Sequence, residues 1–162
     1  MKNLFFVLLC SVGICQGQDL QQLRTAYPNA NESETITNEL FENLSAISEK
    51  NKNTKLAYKG AILSLKAKFS KGIKNKRGYF KQGVKYIEDA ITSEPKNIEI
   101  RCLRLGVQEN SPKITGYKQN ISEDKQFLID HYPSVSDTKL QEFIRGYVTL
   151  SKVFTDTEKQ LF

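Results

Sequence analysis

The stretch FKQGVKYIEDAITSEPKN, residues 80–97, decides the fold class of this chain. Its large apolar side chains recur every three or four positions, which is the spacing of one face of an α-helix. These residues are Phe80, Val84, Ile87 and Ile91. Pro95 follows the stripe and ends a helix, because proline has no backbone N–H to donate. We therefore predict a helix over residues 78–93 that packs against a neighbour through this face.

The same periodicity covers most of the remaining chain. The predicted helices lie at about residues 34–49, 54–70, 78–93, 97–109 and 120–132, with a last helix after Asp137. Asn120 and Glu123 have the spacing of a capping box at the start of the fifth helix. Alternating, strand-like stretches are short and lack hairpin turns. We predict an all-α single domain of about six antiparallel helices connected by short loops.

Residues 80–97 also resemble the second helix of a tetratricopeptide repeat, in which a small residue, an apolar residue, an alanine and a proline recur at fixed spacing. The corresponding positions here are Gly83, Ile87, Ala90 and Pro95. The segment Tyr58-Lys-Gly60-Ala61 resembles the small-residue crossing of the first helix. The interval from Gly60 to Gly83 is longer than a 34-residue repeat allows, and no second copy follows at a fixed period. The resemblance implies one tetratricopeptide-like, α-solenoid-like helical hairpin rather than a repeat array.

A wider resemblance rests on four segments in a fixed order. They are AYKGAILSLKAKF (57–69), YFKQGVKYIEDAI (79–91), NIEIRCLRLGVQENSPKITGY (97–117) and EDK (123–125). In this order they resemble an uncharacterised family of exported helical proteins of Bacteroidota, over most of residues 23–130. The resemblance implies an all-helical fold and export from the cytoplasm. It implies no activity and no catalytic residues.

The N-terminus has the features of a secretory signal peptide. A short basic start precedes the apolar run LFFVLLCSVGIC, residues 4–15. We predict a leader over residues 1–17, cleaved between Gly17 and Gln18, which leaves a single domain over residues 18–162. The apolar run is shorter than the roughly 20 residues that a membrane span needs. We therefore expect a periplasmic or secreted protein with no transmembrane segment in the mature chain, and the alternative is an uncleaved anchor.

Charge along the chain is arranged in blocks. Residues 18–49 carry six acids and one Arg, whereas residues 50–87 carry twelve Lys or Arg and no acid. The basic 50–85 block predicts a surface for anionic ligands of the cell envelope, such as lipopolysaccharide, anionic lipid or another polyanion. Its candidate binding residues are Lys71, Lys74, Lys76 and Arg77, of which the last three are expected to converge in a loop. The competing interpretation is a solvated face, balanced by the acidic helix predicted over residues 34–49.

Two further groups of residues are candidates for binding. Arg101 and Arg104 lie three positions apart on one helical face, where guanidinium groups can grip a carboxylate or phosphate. The alternative is that they pair with acids of neighbouring helices, because a buried Arg needs a partner. The acids considered are Glu88, Asp89 and Asp124. Asn110 and Tyr117 flank a loop and can line a groove beside Tyr58, or the loop can simply form a turn.

The sequence contains no motif for catalysis, metal binding or a cofactor. The single histidine, His131, stands next to Asp130, and adjacent residues on a helix point apart. Cys102 is the one cysteine outside the predicted leader and has the character of a small buried hydrophobe. We therefore expect no enzyme, no cofactor and no metal site. The leading hypothesis is a non-catalytic interaction module that binds a protein or peptide in the envelope through a concave tetratricopeptide-like surface. The alternative is the anionic-ligand binder, with intracellular nucleic acid not expected as a partner.

Overall fold

The computed structural model describes the backbone of residues 14–47 and 53–162, and the side chains from residue 20 onward within those ranges. This part of the chain contains eight α-helices, two 3-10 turns and no β-strand. The α-helices are α1 Ile14–Ala30, α2 Glu34–Asn43, α3 Asn53–Phe69, α4 Ile73–Ser93, α5 Ile98–Asn110, α6 Ile121–His131, α7 Thr138–Leu150 and α8 Asp156–Lys159. The 3-10 turns are Lys113–Thr115 and Tyr132–Ser134. The prediction of an all-α fold is confirmed.

The prediction of about six helices is wrong, because α1 and α8 have no counterpart in it. α8 spans four residues, which is too short to show a periodic stripe. α1 contains Pro28, and proline normally ends a helical pattern. The apolar residues that α1 turns toward the core nevertheless have helical spacing. They are Leu20, Leu23, Tyr27 and Ala30.

Parts of two predicted segments lie outside the described residues. Residues 1–13 of the predicted leader are among them, and the predicted cleavage between Gly17 and Gln18 falls inside α1. The helix predicted over residues 34–49 ends earlier, at Asn43, where the chain leaves α2 in a turn. Residues 48 and 49 of the predicted helix lie outside the described residues.

Polar side chains mark the starts of the later helices. Asp137 caps α7 as predicted, and its carboxylate accepts two backbone N–H bonds from the first turn. Asn120 precedes α6 as predicted, but the capping box with Glu123 is not formed. Asn120 instead donates from Nδ2 to the Glu123 carboxylate over 2.9 Å, and its backbone N–H donates to Oε1 of Gln108 over 3.1 Å. The start of α6 is therefore tied to the buried Gln108 of α5.

Four helices form an inner ring, and three other helices pack against it from outside. α3 packs on α1 and α5, α5 packs on α7, and α7 packs back on α1, so these four helices surround one core. α2 lies outside against α1 and α3, α4 lies against α3 and α5, and α6 lies against α5. The most extensive contact is the antiparallel pair of α3 and α4. The ring is closed because the first and last long helices meet.

α3 and α4 approach each other at a pair of glycines. A Cβ atom built on Gly60 would lie 2.5 Å from the carbonyl oxygen of Gly83, and a Cβ atom on Gly83 would lie 2.5 Å from the carbonyl oxygen of Gly60. Any side chain at either position would therefore meet backbone of the facing helix. The small residues that resemble a tetratricopeptide crossing are thus the residues at which these two helices touch.

An ionic network centred on the buried carboxylate of Glu99 attaches α1 to the rest of the fold. Arg24 binds Glu99 of α5 in a bidentate pair, with Nε–Oε1 at 2.8 Å and Nη2–Oε2 at 2.7 Å. Its Nη1 atom lies 2.7 Å from the carboxylate of Asp137, which precedes α7. The hydroxyl of Tyr58 on α3 donates to Glu99 over 2.8 Å. Arg24 thus joins α1 to α5 and to the start of α7, and Glu99 links Tyr58 of α3 to the same network.

Candidate functional site

Tyr58 and Tyr117, both predicted to line a groove, are buried. Tyr58 has no exposed surface, because Tyr27 of α1 and Phe143 of α7 cover its ring at centroid distances of 5.6 and 6.0 Å. Burial and the Glu99 carboxylate raise the pKa of the Tyr58 phenol well above its usual value. The expected groove beside Tyr58 is therefore filled by α1, a helix that was not predicted from the sequence.

Tyr117 and Asn110 form contacts within the fold at the two ends of the loop that follows α5. The Tyr117 hydroxyl donates to the Glu88 carboxylate, and its ring meets Phe80 edge to face at 6.1 Å. Burial and Glu88 raise the pKa of the Tyr117 phenol well above its usual value. Asn110 is exposed, and its side chain donates to the carbonyl of Gly106 over 2.9 Å at the end of α5. The loop residues therefore support a turn, the second of the two alternatives left open by the sequence.

Arg101 and Arg104 point into the protein and share one carboxylate. Asp124 is fully buried and accepts bonds from Arg104 Nε at 2.6 Å, Arg104 Nη2 at 2.7 Å and Arg101 Nη1 at 2.8 Å. Arg101 also binds Glu123, and Arg104 lies 3.2 Å from Glu88. Two of the three acids considered as alternative partners, Glu88 and Asp124, thus hold these arginines. Their donors are used within the fold, which leaves little capacity for a ligand.

This cluster predicts a dependence of stability on acid pH. Hydrogen bonds from Arg101 and Asn120 lower the pKa of Glu123 below its usual value of 4.5. The stabilisation that the ionised Glu123 carboxylate contributes is therefore complete above about pH 4.5. It is lost as the pH falls through the lowered pKa of Glu123 in the folded state. We expect the free energy of unfolding of Glu123→Gln to fall less steeply between pH 5 and pH 3 than that of the unmodified protein.

Urea unfolding at each pH measures this difference. The control is Glu42→Gln, at an exposed carboxyl group that forms no ion pair with any residue in the described part of the chain. The free energy of unfolding of this control should fall between pH 5 and pH 3 as steeply as that of the unmodified protein. If the free energy of Glu123→Gln also falls as steeply as that of the unmodified protein, the prediction is contradicted.

The predicted basic loop is helical. α4 begins at Ile73, so Lys74, Lys76 and Arg77 lie on its first two turns, and the expectation that they lie in a loop is wrong. Ser70, Lys71 and Gly72 connect α3 to α4, and Gly72, at φ 78°, reverses the chain direction. The apolar stripe of α4 starts seven residues after the helix does, because its first two turns have no neighbour to pack against. Periodicity therefore misses this extension.

The exposed cations of this segment form one cluster, which we name the basic tip. Its members are Lys71, Lys74, Lys76, Arg77 and Lys81. Lys74, Arg77 and Lys81 share one helical face, because they are spaced by three and four residues. The first turn of α4 has no acidic residue and no side-chain cap, so the positive end of the helix dipole adds to the field of the cations.

Charges of the basic tip are not neutralised by the acidic helix. Within residues 14–47 and 53–162, none of the five side chains forms a hydrogen bond or an ion pair. α2 packs along α3, and two lysines of α3 bind neutral oxygens of α2 and of the turn that follows it. Lys66 donates to Asn38 Oδ1 over 2.7 Å, and Lys59 donates to the Ser45 carbonyl over 2.8 Å. The five cations of the basic tip therefore form no direct ion pair with the described residues of the acidic segment.

The described residues offer no arrangement for metal chemistry. No group of three His, Cys, Asp or Glu side chains in this part of the chain is placed to hold an ion. His131 stacks on Phe127 at 3.9 Å, and its Nδ1 atom contacts the Phe127 carbonyl at 2.9 Å. A cleft of about 310 Å³ beside it is lined by a mixture of apolar and small polar side chains, together with Lys96 and Asp137.

No helix in the described part of the chain is both long and apolar enough to cross a membrane. Comparison with known proteins adds no family: no family model matches the chain, and no curated protein and no solved structure resembles it significantly. The resemblance to exported proteins of Bacteroidota therefore stays a prediction, and a functional proposal has to rest on the geometry of this chain's own residues.

Proposed function

We propose that this protein is a non-catalytic binder of anionic ligands, which it contacts through the basic tip. One observation carries the proposal: five cations are exposed together on a segment without a single acid. Phosphate groups suit this surface, since lysines act as mobile point charges and the Arg77 guanidinium can bind two oxygens at once. The proposed location is the periplasm or the exterior of the cell, where lipopolysaccharide and anionic lipids supply such groups.

The arrangement of helices also supports a tetratricopeptide-like interpretation of the fold. Antiparallel neighbours α1–α2, α3–α4 and α5–α6 follow one another, and the inner helices α1, α3 and α5 pack in succession. In an open array of this kind, a peptide would bind the concave face formed by the inner helices. Here α1 packs on α7 across that face. The closed face supports the anionic ligand over the peptide as the proposed partner.

Heparin chromatography tests the proposal with two matched triple variants. Replacing Lys74, Lys76 and Arg77 by alanine removes three charges from the basic tip. The control replaces three other exposed lysines, and it removes the same charge from other parts of the surface. These are Lys96, Lys113 and Lys152. Because each cation near an anionic surface contributes about 1 kcal/mol, we expect the tip variant to bind anionic surfaces roughly a hundredfold more weakly.

The unmodified protein and the control should be retained on heparin in a salt-sensitive way, and the tip variant should elute at clearly lower salt. If both triple variants elute at equally lowered salt concentrations, net charge alone governs retention and the proposal fails. Absence of retention by the unmodified protein at low salt would also reject it. Far-UV circular dichroism of the three proteins verifies that the substitutions leave the helices intact.

A further inference from the structure

An exposed isoleucine stands inside the basic tip. Ile73 is the first residue of α4 and is 82 % exposed. It is the one large apolar residue in the stretch KGIKNKRG, residues 71–78, and all eight of these residues are exposed. The tip therefore presents a single apolar side chain surrounded by cations, at a place where the chain stands clear of the core.

The two aromatic residues of α4 beside the tip, Tyr79 and Phe80, pack on rings of other segments. Tyr79 packs edge to face on Phe41 at 6.4 Å, with the Lys66 ammonium group over its ring at 5.8 Å. Phe80 packs on Tyr117. Single-stranded nucleic acids bind basic surfaces by stacking their bases on exposed aromatic rings, whereas the rings of Tyr79 and Phe80 are partly buried and already packed on other side chains. A soluble polyanion would satisfy the cations but would leave Ile73 in water.

An anionic bilayer satisfies both features of the tip. Its headgroup phosphates attract lysine and arginine, while the region below them accepts an apolar side chain. We propose that the basic tip binds the surface of an anionic lipid bilayer, with the Ile73 side chain inserted below the headgroups. This inference rests on the proposed function and names its ligand, a membrane surface rather than a soluble polyanion.

Because the chain contains no tryptophan, one introduced indole reports on its surroundings without background. Ile73→Trp places the probe in the tip. The matched control is Ser93→Trp, at the exposed last residue of the same helix. The two sites are twenty residues apart, which is about 30 Å along the helix axis. Substitution at either site leaves the core intact, since both side chains are exposed.

Vesicles of 30 % phosphatidylglycerol in phosphatidylcholine are the ligand, and vesicles of phosphatidylcholine alone are the reference. We expect the emission of Ile73→Trp to shift to the blue on the anionic vesicles and not on the neutral ones. The emission of Ser93→Trp should not shift on either. Ile73→Ala should reduce partitioning to anionic vesicles by about tenfold, because burial of an isoleucine side chain contributes on that scale. It should leave retention on heparin unchanged.

The outcomes separate this inference from the proposed function. If the protein binds heparin and anionic vesicles while the Ile73→Trp emission is constant and Ile73→Ala binds equally well, insertion is rejected and anion binding stands. A blue shift of Ile73→Trp with heparin or single-stranded DNA as large as that with vesicles would likewise reject the bilayer as the ligand. If the protein binds neither heparin nor vesicles, both proposals fail together.

Discussion

Gly83→Ala is expected to lower the free energy of unfolding by about 1–3 kcal/mol, the usual cost of overpacking a helix contact. The new Cβ atom would lie 2.5 Å from the carbonyl oxygen of Gly60, 3.0 Å from Ser64 Oγ and 3.1 Å from Leu63 Cβ. Gly60 contributes backbone, which cannot rotate away, so α3 and α4 must separate. Separation loosens the most extensive helix contact in the fold. Gly60→Ala should act in the same direction, since its Cβ atom would meet the Gly83 carbonyl at the same distance.

A matched control exists on the same helix. Gly78 has no atom within 4 Å of an added Cβ, so Gly78→Ala meets no obstacle. Alanine has the higher helix propensity, and we expect this variant to be more stable by up to about 1 kcal/mol. Urea unfolding followed by circular dichroism measures both changes. The packing argument would be wrong if Gly83→Ala proved as stable as Gly78→Ala.

Arg24→Met is expected to cost about 3–5 kcal/mol, because it leaves a buried carboxylate without its cation. The Glu99 side chain is 4 % exposed, and Tyr58 would remain as its one side-chain donor. Methionine retains much of the apolar volume of the arginine stem, so the loss reports on charge rather than on a cavity. α1 would lose its bond to both α5 and the start of α7.

The control for this variant is Arg145→Met on α7. Arg145 is exposed and its Nε atom makes one long contact, at 3.4 Å to Tyr132, so we expect a change within about 0.5 kcal/mol. The double variant Arg24→Met/Glu99→Gln should be less destabilised than the sum of its single changes, because it removes the unpaired charge together with its partner. If the free-energy costs of the two single changes simply add up in the double variant, the pair of Arg24 and Glu99 is not the source of the effect.

Local patterns in the sequence determined the helical class and much of its detail. The stripe of Phe80, Val84 and Ile87 predicts the packed part of α4, and Asp137 predicts the start of α7. Gly60 and Gly83 stand out as small residues on apolar faces, and they meet in the structure. These features follow from residues close in sequence, because periodicity and caps reflect contacts within one or two turns.

The sequence shows the cations of the basic tip, but only the tertiary structure shows which of them are available. The block of twelve cations is visible in the sequence, but its members have different surroundings. Lys59 and Lys66 bind oxygens of α2 and the turn that follows it, whereas Lys74 and Lys76 bind none of the described residues. Which lysines are available for a ligand depends on where α2 lies. The helical extension of α4 and the exposure of Ile73 likewise depend on the absence of a packing neighbour, which leaves no periodic signal.

The sequence by itself determined most of the helices and which side of each is apolar. Only the tertiary structure decided which helix covers each apolar side. The bonds that close the ring join Arg24 to Glu99 and Asp137, which are 75 and 113 positions away in the chain. No local pattern records a pairing at such separations. Tyr58 therefore has the same signature in the sequence whether it lines an open groove or is buried beneath α1. The structure decides for burial because Tyr27 of α1 packs on the Tyr58 ring and Arg24 of the same helix supplies the partner that the buried Glu99 carboxylate requires.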